Sequence, residues 1–319
     1  MKHEIKIILL LLFMFLTTQL IGLIVIDAYA PTKTVQTLKD GASVNLTTGG
    51  NETIPYGMQP PEMKAEVSLA SISISLIIAI IIFFLLMKIR ARSLIKLWFT
   101  MVVLLTMSVA LNALLNQIFP GTLLRLDKIA IILAIPLTFY KIFKRNILVH
   151  NATELLIYPG LAAVFVPLME IWSIIVLLLI ISVYDMWAVW KSKFMIKLAK
   201  FQMQKIKVFT GFFVPYLNKK EALKLKKARK IKTARSRVAN LKKIKVAVAI
   251  LGGGDVAFPL IFAGVVYRAA GLIPALIIIA GSTLSLLILF MFSKKGKFYP
   301  AMPFITAGCL VAYLISLLI

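Results

Sequence analysis

The sequence has little of what metal centres, disulfide frameworks and soluble domains require. Its one cysteine, Cys309, excludes a disulfide framework or a thiolate metal cage within the chain. Its two histidines, His3 and His150, cannot build a multi-histidine metal site, so we expect no metal and no cofactor. Only 15% of the residues are charged, whereas a soluble globular domain has about a quarter. This shortage of charge argues against an ordinary soluble protein.

Apolar residues are abundant instead: they make up 61% of the 319 residues and recur in long runs. A helix crosses the hydrocarbon core of a bilayer with about 20 apolar residues. We therefore predict an all-α, polytopic membrane protein with nine transmembrane helices. The predicted spans are Ile7–Ile26, Val67–Met87, Leu97–Phe119, Ile129–Phe143, Thr153–Leu168, Ile171–Trp190, Val246–Ala269, Leu272–Phe292 and Tyr299–Leu318.

The positive charge predicts an orientation. The chain carries 37 Lys and Arg residues against 12 acids, a net charge of +25. No recognised nucleic-acid-binding fold accompanies this charge, so we expect no nucleic acid as a partner. With a cytoplasmic N-terminus, the connections Lys88–Lys96, Lys141–Arg145, Lys191–Lys245 and Lys294–Lys297 all lie inside, and all four are basic. This agrees with the positive-inside rule and places the C-terminus outside, as a multi-pass protein of the cell membrane.

The longest of these basic connections divides the chain into three parts. Residues 1–190 hold six predicted helices, 191–245 form a basic cytoplasmic loop, and 246–319 hold three helices. Apolar and aromatic residues are interleaved with lysines in the first half of the loop, namely Phe201, Ile206, Phe209, Phe212, Phe213 and Tyr216. This pattern predicts an interfacial stretch that lies against anionic lipid.

The first apolar run has two interpretations. Lys2 and Lys6 before the run and Ala28-Tyr29-Ala30 after it resemble a signal peptide. The run is too long for a typical signal-peptide core, which favours a retained first helix.

Two acids fall inside predicted helices, where an ionisable group costs about 3 kcal/mol on insertion scales. Ten of the twelve acids, Glu154 among them, are expected in loops, termini or helix ends. Asp185 lies six residues before Lys191 and Asp255 ten residues after Lys245, which places them about 9 and 15 Å inside the cytoplasmic boundary if both segments are helical. Consecutive antiparallel helices can bring these two side chains together.

Two such carboxylates in an apolar interior can hold one proton jointly. One carboxylate then acts as a general base on water while the other donates a hydrogen bond to a carbonyl group. Gly252-Gly253-Gly254 precedes Asp255, and three glycines in a transmembrane helix weaken it or serve close packing. Pro259 removes the backbone donor that would bond the Asp255 carbonyl. A lone buried Asp is as well explained by an interhelical contact, but a pair at similar depth favours catalysis.

These residues resemble the motifs of presenilin and signal peptide peptidase, the intramembrane aspartyl proteases. Tyr184-Asp185 is similar to the YD motif and Gly252-Gly253-Gly254-Asp255 to the GxGD motif. Pro300-Ala301-Met302-Pro303 resembles the family's PAL motif, with Met302 where leucine is usual. A literal Pro274-Ala275-Leu276 falls at the outer start of the eighth helix, away from the acids. The loop charges match the presenilin orientation, whereas the residues after Gly254 look closer to signal peptide peptidase and archaeal homologues.

The resemblance implies that Asp185 and Asp255 are the catalytic pair of an aspartic endopeptidase. It implies that Tyr184, Gly252, Gly253, Gly254 and the Pro300–Pro303 segment contact a substrate. The expected substrate is a transmembrane helix of another protein, which must unwind before hydrolysis. We expect the unwound strand to pair with backbone near the PAL-like turn or near Arg237–Lys245.

Two other functions fit the same acids. A prepilin-type peptidase also uses GxGD aspartates, although such enzymes usually have fewer helices and acids nearer the surface. A proton-coupled transporter or channel could use Asp185 and Asp255 as relay sites, and its helices would also be broken by glycine and proline.

Overall fold

The structure is a computed structural model of the whole chain. It describes residues 5–30, 34–37, 43–46, 71, 74, 75, 78, 81, 82, 85, 92–120, 125–144, 146–191, 210–216, 221, 247–293 and 299–318. All structural statements below concern these residues.

The described chain is mostly helical, with two small antiparallel strand pairs. The seven isolated positions between 71 and 85 are helical as well, within the second predicted span. In chain order the elements are α1 (Ile5–Asp27), β1 (Thr34–Thr37), β2 (Ser43–Leu46), α2 (Arg92–Ile118), α3 (Leu126–Phe143), α4 (Ile147–Phe165), α5 (Ile171–Met186), β3 (Gly211–Tyr216), β4 (Ala247–Gly252), α6 (Gly253–Ala270), α7 (Leu272–Phe292) and α8 (Met302–Ser316).

Six helical segments of the described chain are long and apolar enough to cross a membrane. This confirms a polytopic, helical membrane protein, whereas nine spans and the orientation of the termini stay predictions. The six segments are Ile5–Asp27, Ser93–Ile118, Ile147–Leu168, Ile171–Trp190, Gly253–Ala270 and Leu272–Phe292. The ninth predicted span corresponds to α8, a shorter apolar helix.

The helices α1 and α6 form the centre of the packed core. α1 contacts α4, α6 and α7, and its Phe15 side chain is fully buried. α6 contacts α4, α5, α7 and α8 as well, and Leu260, Phe262 and Val266 are fully buried along it. Because lipid tails are as apolar as leucine, such a bundle depends on close packing between helices. Gly22 of α1 provides that close fit, since a Cβ there would fall 2.3 Å from Leu260.

Two predictions about the long loop and the seventh span were wrong in detail. Residues 247–252, predicted as the start of a helix, form β4, which pairs antiparallel with β3 from Gly211↔Gly252 to Tyr216↔Ala247. β3 lies in the segment predicted to rest on anionic lipid, yet Phe212 is fully buried inside the protein. The reason is the period of two along β3, which turns Phe212 and Val214 towards the core. The remainder of that loop, including Arg237–Lys245, lies outside the described residues apart from Lys191, Thr210 and Glu221.

Candidate functional site

Asp185 lies in the last turn of α5, directly before a change of helical geometry. The side chain is 6% exposed, and residues Trp187–Lys191 continue as a π-helical turn. Single π turns inside helices are frequent at functional sites because they shift the register of the side chains that follow. Tyr184, the neighbour of Asp185, is 39% exposed and its ring faces that of Trp187, with 6.3 Å between the ring centroids.

The PAL-like segment lies against Asp185. The backbone N–H of Met302 donates to Asp185 Oδ2 at 3.1 Å, and the N–H of Ala301 also bonds this carboxylate. These N–H groups are free because α8 begins here and the first turn of a helix has no internal partners for them. One turn away, the Ser182 hydroxyl donates to Thr306 Oγ1 at 2.8 Å. α5 and α8 are therefore joined at Asp185 and one turn before it.

Asp255 lies in the first turn of α6, which corrects its predicted place in mid-helix. Gly252 is the N-cap of α6, in extended backbone, and the helix proper starts at Gly253. The Asp255 carboxylate, three positions after the cap, bonds the backbone of Gly252 as in a capping box. The predicted depth of about 15 Å for Asp255 assumed a helix from Lys245 onward, so it does not apply.

The three glycines before Asp255 have different surroundings. A Cβ at Gly252 would fall 3.0 Å from Asp255 Oδ2, and a Cβ at Gly253 would fall 2.8 Å from the Tyr158 hydroxyl. A Cβ at Gly254 would meet only the Phe258 ring at 3.5 Å, an ordinary contact distance. Gly252 and Gly253 thus leave room for neighbouring polar atoms because they have no Cβ. Gly254, in contrast, is exposed.

The charge of Asp185 reaches Asp255. Asp255 is partly buried at the start of α6, and the charge of Asp185 on the neighbouring helix α5 acts on its carboxylate. α5, α6 and α8 are in mutual contact, so Asp185, Asp255 and the Pro300–Pro303 segment belong to one region of the fold. The literal Pro274-Ala275-Leu276 lies at the start of α7, beyond the far end of α6 and about 27 Å along that helix from its first residue.

Helix α1 contributes a polar contact that the sequence reasoning missed. Gln19 is fully buried in α1, and its Nε2 donates to the Val256 carbonyl at 3.0 Å. Val256 follows Asp255, so this bond ties the first turn of α6 to α1. An uncharged glutamine in a long apolar run was the only signal that could have pointed to this contact.

A buried ion pair between α3 and α4 contradicts two predicted positions. Lys141 was expected in an inside connection and Glu154 at a helix end. Instead, Lys141 Nζ donates to Glu154 Oε1 at 2.5 Å, and the two side chains are 2% and 0% exposed. α4 begins at Ile147, six residues before the predicted start of its span, so Glu154 lies two turns inside it. A buried charge is tolerated here because its partner is buried with it.

Comparisons with known proteins identify the family and the fold of the chain. Residues 55–319 match the family model described as signal-peptide peptidase, presenilin aspartyl protease. One solved structure, a presenilin family intramembrane aspartate protease in space group C222, superposes with a TM-score of 0.60 at 18% identity, covering 98% of this chain and 99% of that one. A structure with the same description in space group P2 gives a TM-score of 0.60 and 18% identity over 97% and 96%. At this identity the superpositions show a shared fold.

No curated protein matches the chain significantly. The family match covers more than half of the chain, including both acids and the PAL-like segment. The chain therefore belongs to the signal-peptide peptidase and presenilin aspartyl protease family, whose members are intramembrane aspartic endopeptidases.

Proposed function

We propose that Asp185 and Asp255 are the catalytic pair, and that they hydrolyse a peptide bond within a transmembrane helix of a substrate protein. The observation that carries the proposal is that the charge of Asp185 on α5 acts on Asp255 on the contacting helix α6, in a chain of this family. Two adjacent carboxylates in an apolar interior hold one proton between them. The ionised carboxylate activates water, and the protonated one donates to the carbonyl oxygen of the scissile bond.

The two acids have different surroundings, which suits these two roles. Asp185 accepts backbone N–H bonds from the start of α8, and hydrogen bonds of this kind favour the charged form of a carboxylate. Asp255 accepts a bond from the backbone of Gly252 and faces the charge of Asp185. We assign the general base to Asp185 and the proton donor to Asp255 at the start of the reaction.

The test is cleavage of a synthetic transmembrane peptide by the purified protein. Asp185→Asn and Asp255→Asn should each lower kcat by about a thousandfold, because each variant removes one member of a general acid–base pair. Asp127→Asn, in the first turn of α3, is the matched control and should keep full activity. Cleavage that persists in either active-site variant contradicts the proposal, and proton flux without cleavage would indicate a transporter.

The substrate strand is proposed to pair with β4 or with the Pro300–Pro303 segment. β4 runs directly into Gly252, and its Val248 and Ile250 side chains are 45% and 40% exposed. Among the described residues β3 and β4 pair only with each other, which leaves β4 one edge to which an extended peptide can add. A photoreactive residue at Val248 should crosslink a bound substrate peptide, and one at Ile132 of α3 should not. A crosslinking map that places substrate beside neither segment contradicts the pairing.

A further inference from the structure

His150 of α4 lies between the Lys141–Glu154 ion pair and β3, and the reaction as described above gives it no role. One nitrogen of its ring, Nδ1, faces Lys141 Nζ at 3.4 Å. The other, Nε2, lies 2.8 Å from the Gly211 carbonyl oxygen and 3.5 Å from Glu154 Oε1. The imidazole ring therefore has a cation on one side and two oxygen atoms on the other.

These neighbours select one tautomer of the His150 ring. A lysine ammonium group only donates hydrogen bonds, so Nδ1, which faces it, is the acceptor. A carbonyl oxygen and an ionised carboxylate only accept, so Nε2 carries the proton and donates to Gly211. A ring protonated on both nitrogens would direct an N–H group at the Lys141 ammonium. The ion pair thus keeps His150 as a neutral donor to β3.

Gly211, the residue that accepts this bond, begins β3 in a backbone conformation that other residues rarely adopt. Its φ is 133°, which is open to glycine because glycine has no Cβ. Glycine also has the most backbone freedom to lose on folding, so its position depends on the bonds that restrain it. The His150 bond restrains Gly211, and the His150 ring packs against Phe213 of the same strand with 5.0 Å between the ring centroids.

The restrained end of β3 lies beside the turn that carries Asp255. Gly211 is paired with Gly252, and Gly252 is the N-cap of α6. Thr210, directly before Gly211, lies against the next residue of the turn, since a Cβ on Gly253 would fall 3.2 Å from Thr210 Cβ. Asp255 follows two residues later and bonds the backbone of Gly252. A shift of Gly211 would therefore displace the Asp255 carboxylate.

We propose that His150, held as the Nε2–H tautomer by the Lys141–Glu154 ion pair, is a positioning residue that fixes the first turn of α6 through Gly211. This inference rests on the proposed catalytic role of Asp255. His150 acts through the pairing of Gly211 with Gly252, and not by proton transfer to the substrate. The buried ion pair thereby has a function in the site, since it sets the direction of the His150 hydrogen bond.

Two variants of His150 separate the hydrogen bond from the packing of the ring. His150→Phe keeps a flat ring beside Phe213 and removes the donor. It should lower kcat about tenfold, while KM changes by less than about twofold. His150→Gln places an amide N–H near the position of Nε2, so it should keep kcat within about threefold of the wild type. Full kcat in His150→Phe, or equal losses of kcat in both variants, overturns the inference.

Tyr29→Phe is the control for stability. The Tyr29 hydroxyl donates to the Val109 carbonyl at 3.0 Å, so the bond that is lost joins the end of α1 to α2. This variant should lower the unfolding temperature and leave kcat unchanged. If kcat instead follows the unfolding temperature across all three variants, His150 acts through stability alone and the inference fails.

NMR spectroscopy of the ring nitrogens provides a readout that does not require activity. The chain has two histidines, so ¹⁵N-histidine labelling of an untagged His3→Asn variant leaves His150 as the one labelled ring. At neutral pH we expect an unprotonated Nδ1 and a protonated Nε2. A proton on Nδ1, with or without one on Nε2, contradicts the proposal. Cleavage retained in Asp255→Asn would instead defeat the proposed function, so the two failures are distinguishable.

Discussion

At the scale of single residues, the close approach of two helix backbones requires a glycine at position 160. Gly160 of α4 faces the backbone of α2, and a Cβ there would fall 1.8 Å from the Thr106 carbonyl oxygen. A backbone atom in the middle of a helix cannot move aside as a side chain can. The contact lets α2 and α4 pack closely, as small residues do between membrane helices.

Gly160→Ala should therefore destabilise the protein. We expect the free energy of unfolding to fall by about 1–3 kcal/mol, the usual cost of overpacking, as measured by thermal unfolding in detergent. Gly254→Ala is the matched control for stability, because its added methyl group meets only the Phe258 ring at 3.5 Å. Equal unfolding temperatures for the two variants would contradict this account of helix packing.

At the scale of secondary-structure elements, α4 holds the β3–β4 strand pair, and β4 leads into the turn that carries Asp255. Asn151 Nδ2 donates to the Phe213 carbonyl at 2.8 Å, and the Phe213 N–H donates back to Asn151 Oδ1 at 3.0 Å. β3 is thereby fixed on α4, and its pairing with β4 fixes Gly252, the N-cap of α6. The position of Asp255 thus depends on a side chain from a different helix.

Asn151→Ala should lower kcat/KM by roughly tenfold or more, because even a small displacement of Asp255, the proposed catalytic group, lowers the rate of the reaction. Asn146→Ala is the matched control on the same helix, because the Asn146 side chain accepts from the Leu148 N–H at 2.9 Å and so caps α4 itself. Both variants should lose about 1 kcal/mol of stability, so unfolding measurements calibrate the comparison. Equal losses of cleavage in both variants would show that Asn151 acts through stability alone.

The elements also show how much could be predicted from the sequence. The acids and the order of the three motifs were recognisable because few residue types can carry this chemistry inside apolar helices. The β3–β4 pair was missed because its two strands are short, separated by a long basic segment, and apolar enough to continue a helix.

The Lys141–Glu154 ion pair was missed for another reason. Charge near a helix end indicates an aqueous boundary unless a partner is known, and a partner on another helix is not visible in the sequence.

At the scale of the whole molecule, the loop charges still predict the orientation in the membrane. Cys309 is buried and is the one cysteine, so Cys309→Ala provides a background for single-cysteine labelling. Asn45→Cys in that background should react with an impermeant maleimide from outside intact cells, and Arg92→Cys only after permeabilisation. The reverse pattern would contradict the cytoplasmic N-terminus, and the background protein should remain unlabelled.

The whole molecule also brings three contacts together around the proposed reaction site. α8 bonds Asp185 through Met302, α1 bonds Val256 through Gln19, and the hairpin leads into Gly252. α8 and α1 are distant in sequence from the acids that they support, whereas β4 directly precedes α6 and is held by its distant partner β3. The fold as a whole therefore holds Asp185 and Asp255 in place.

The most direct test of the central claim is a structure with a hydroxyl-containing transition-state analogue of a peptide bond. We predict that the analogue's hydroxyl lies within about 2.6–3.2 Å of a carboxylate oxygen from both Asp185 and Asp255, because they act on the same water. An inhibitor-bound structure in which the two carboxylates are too far apart to contact one hydroxyl would contradict the account.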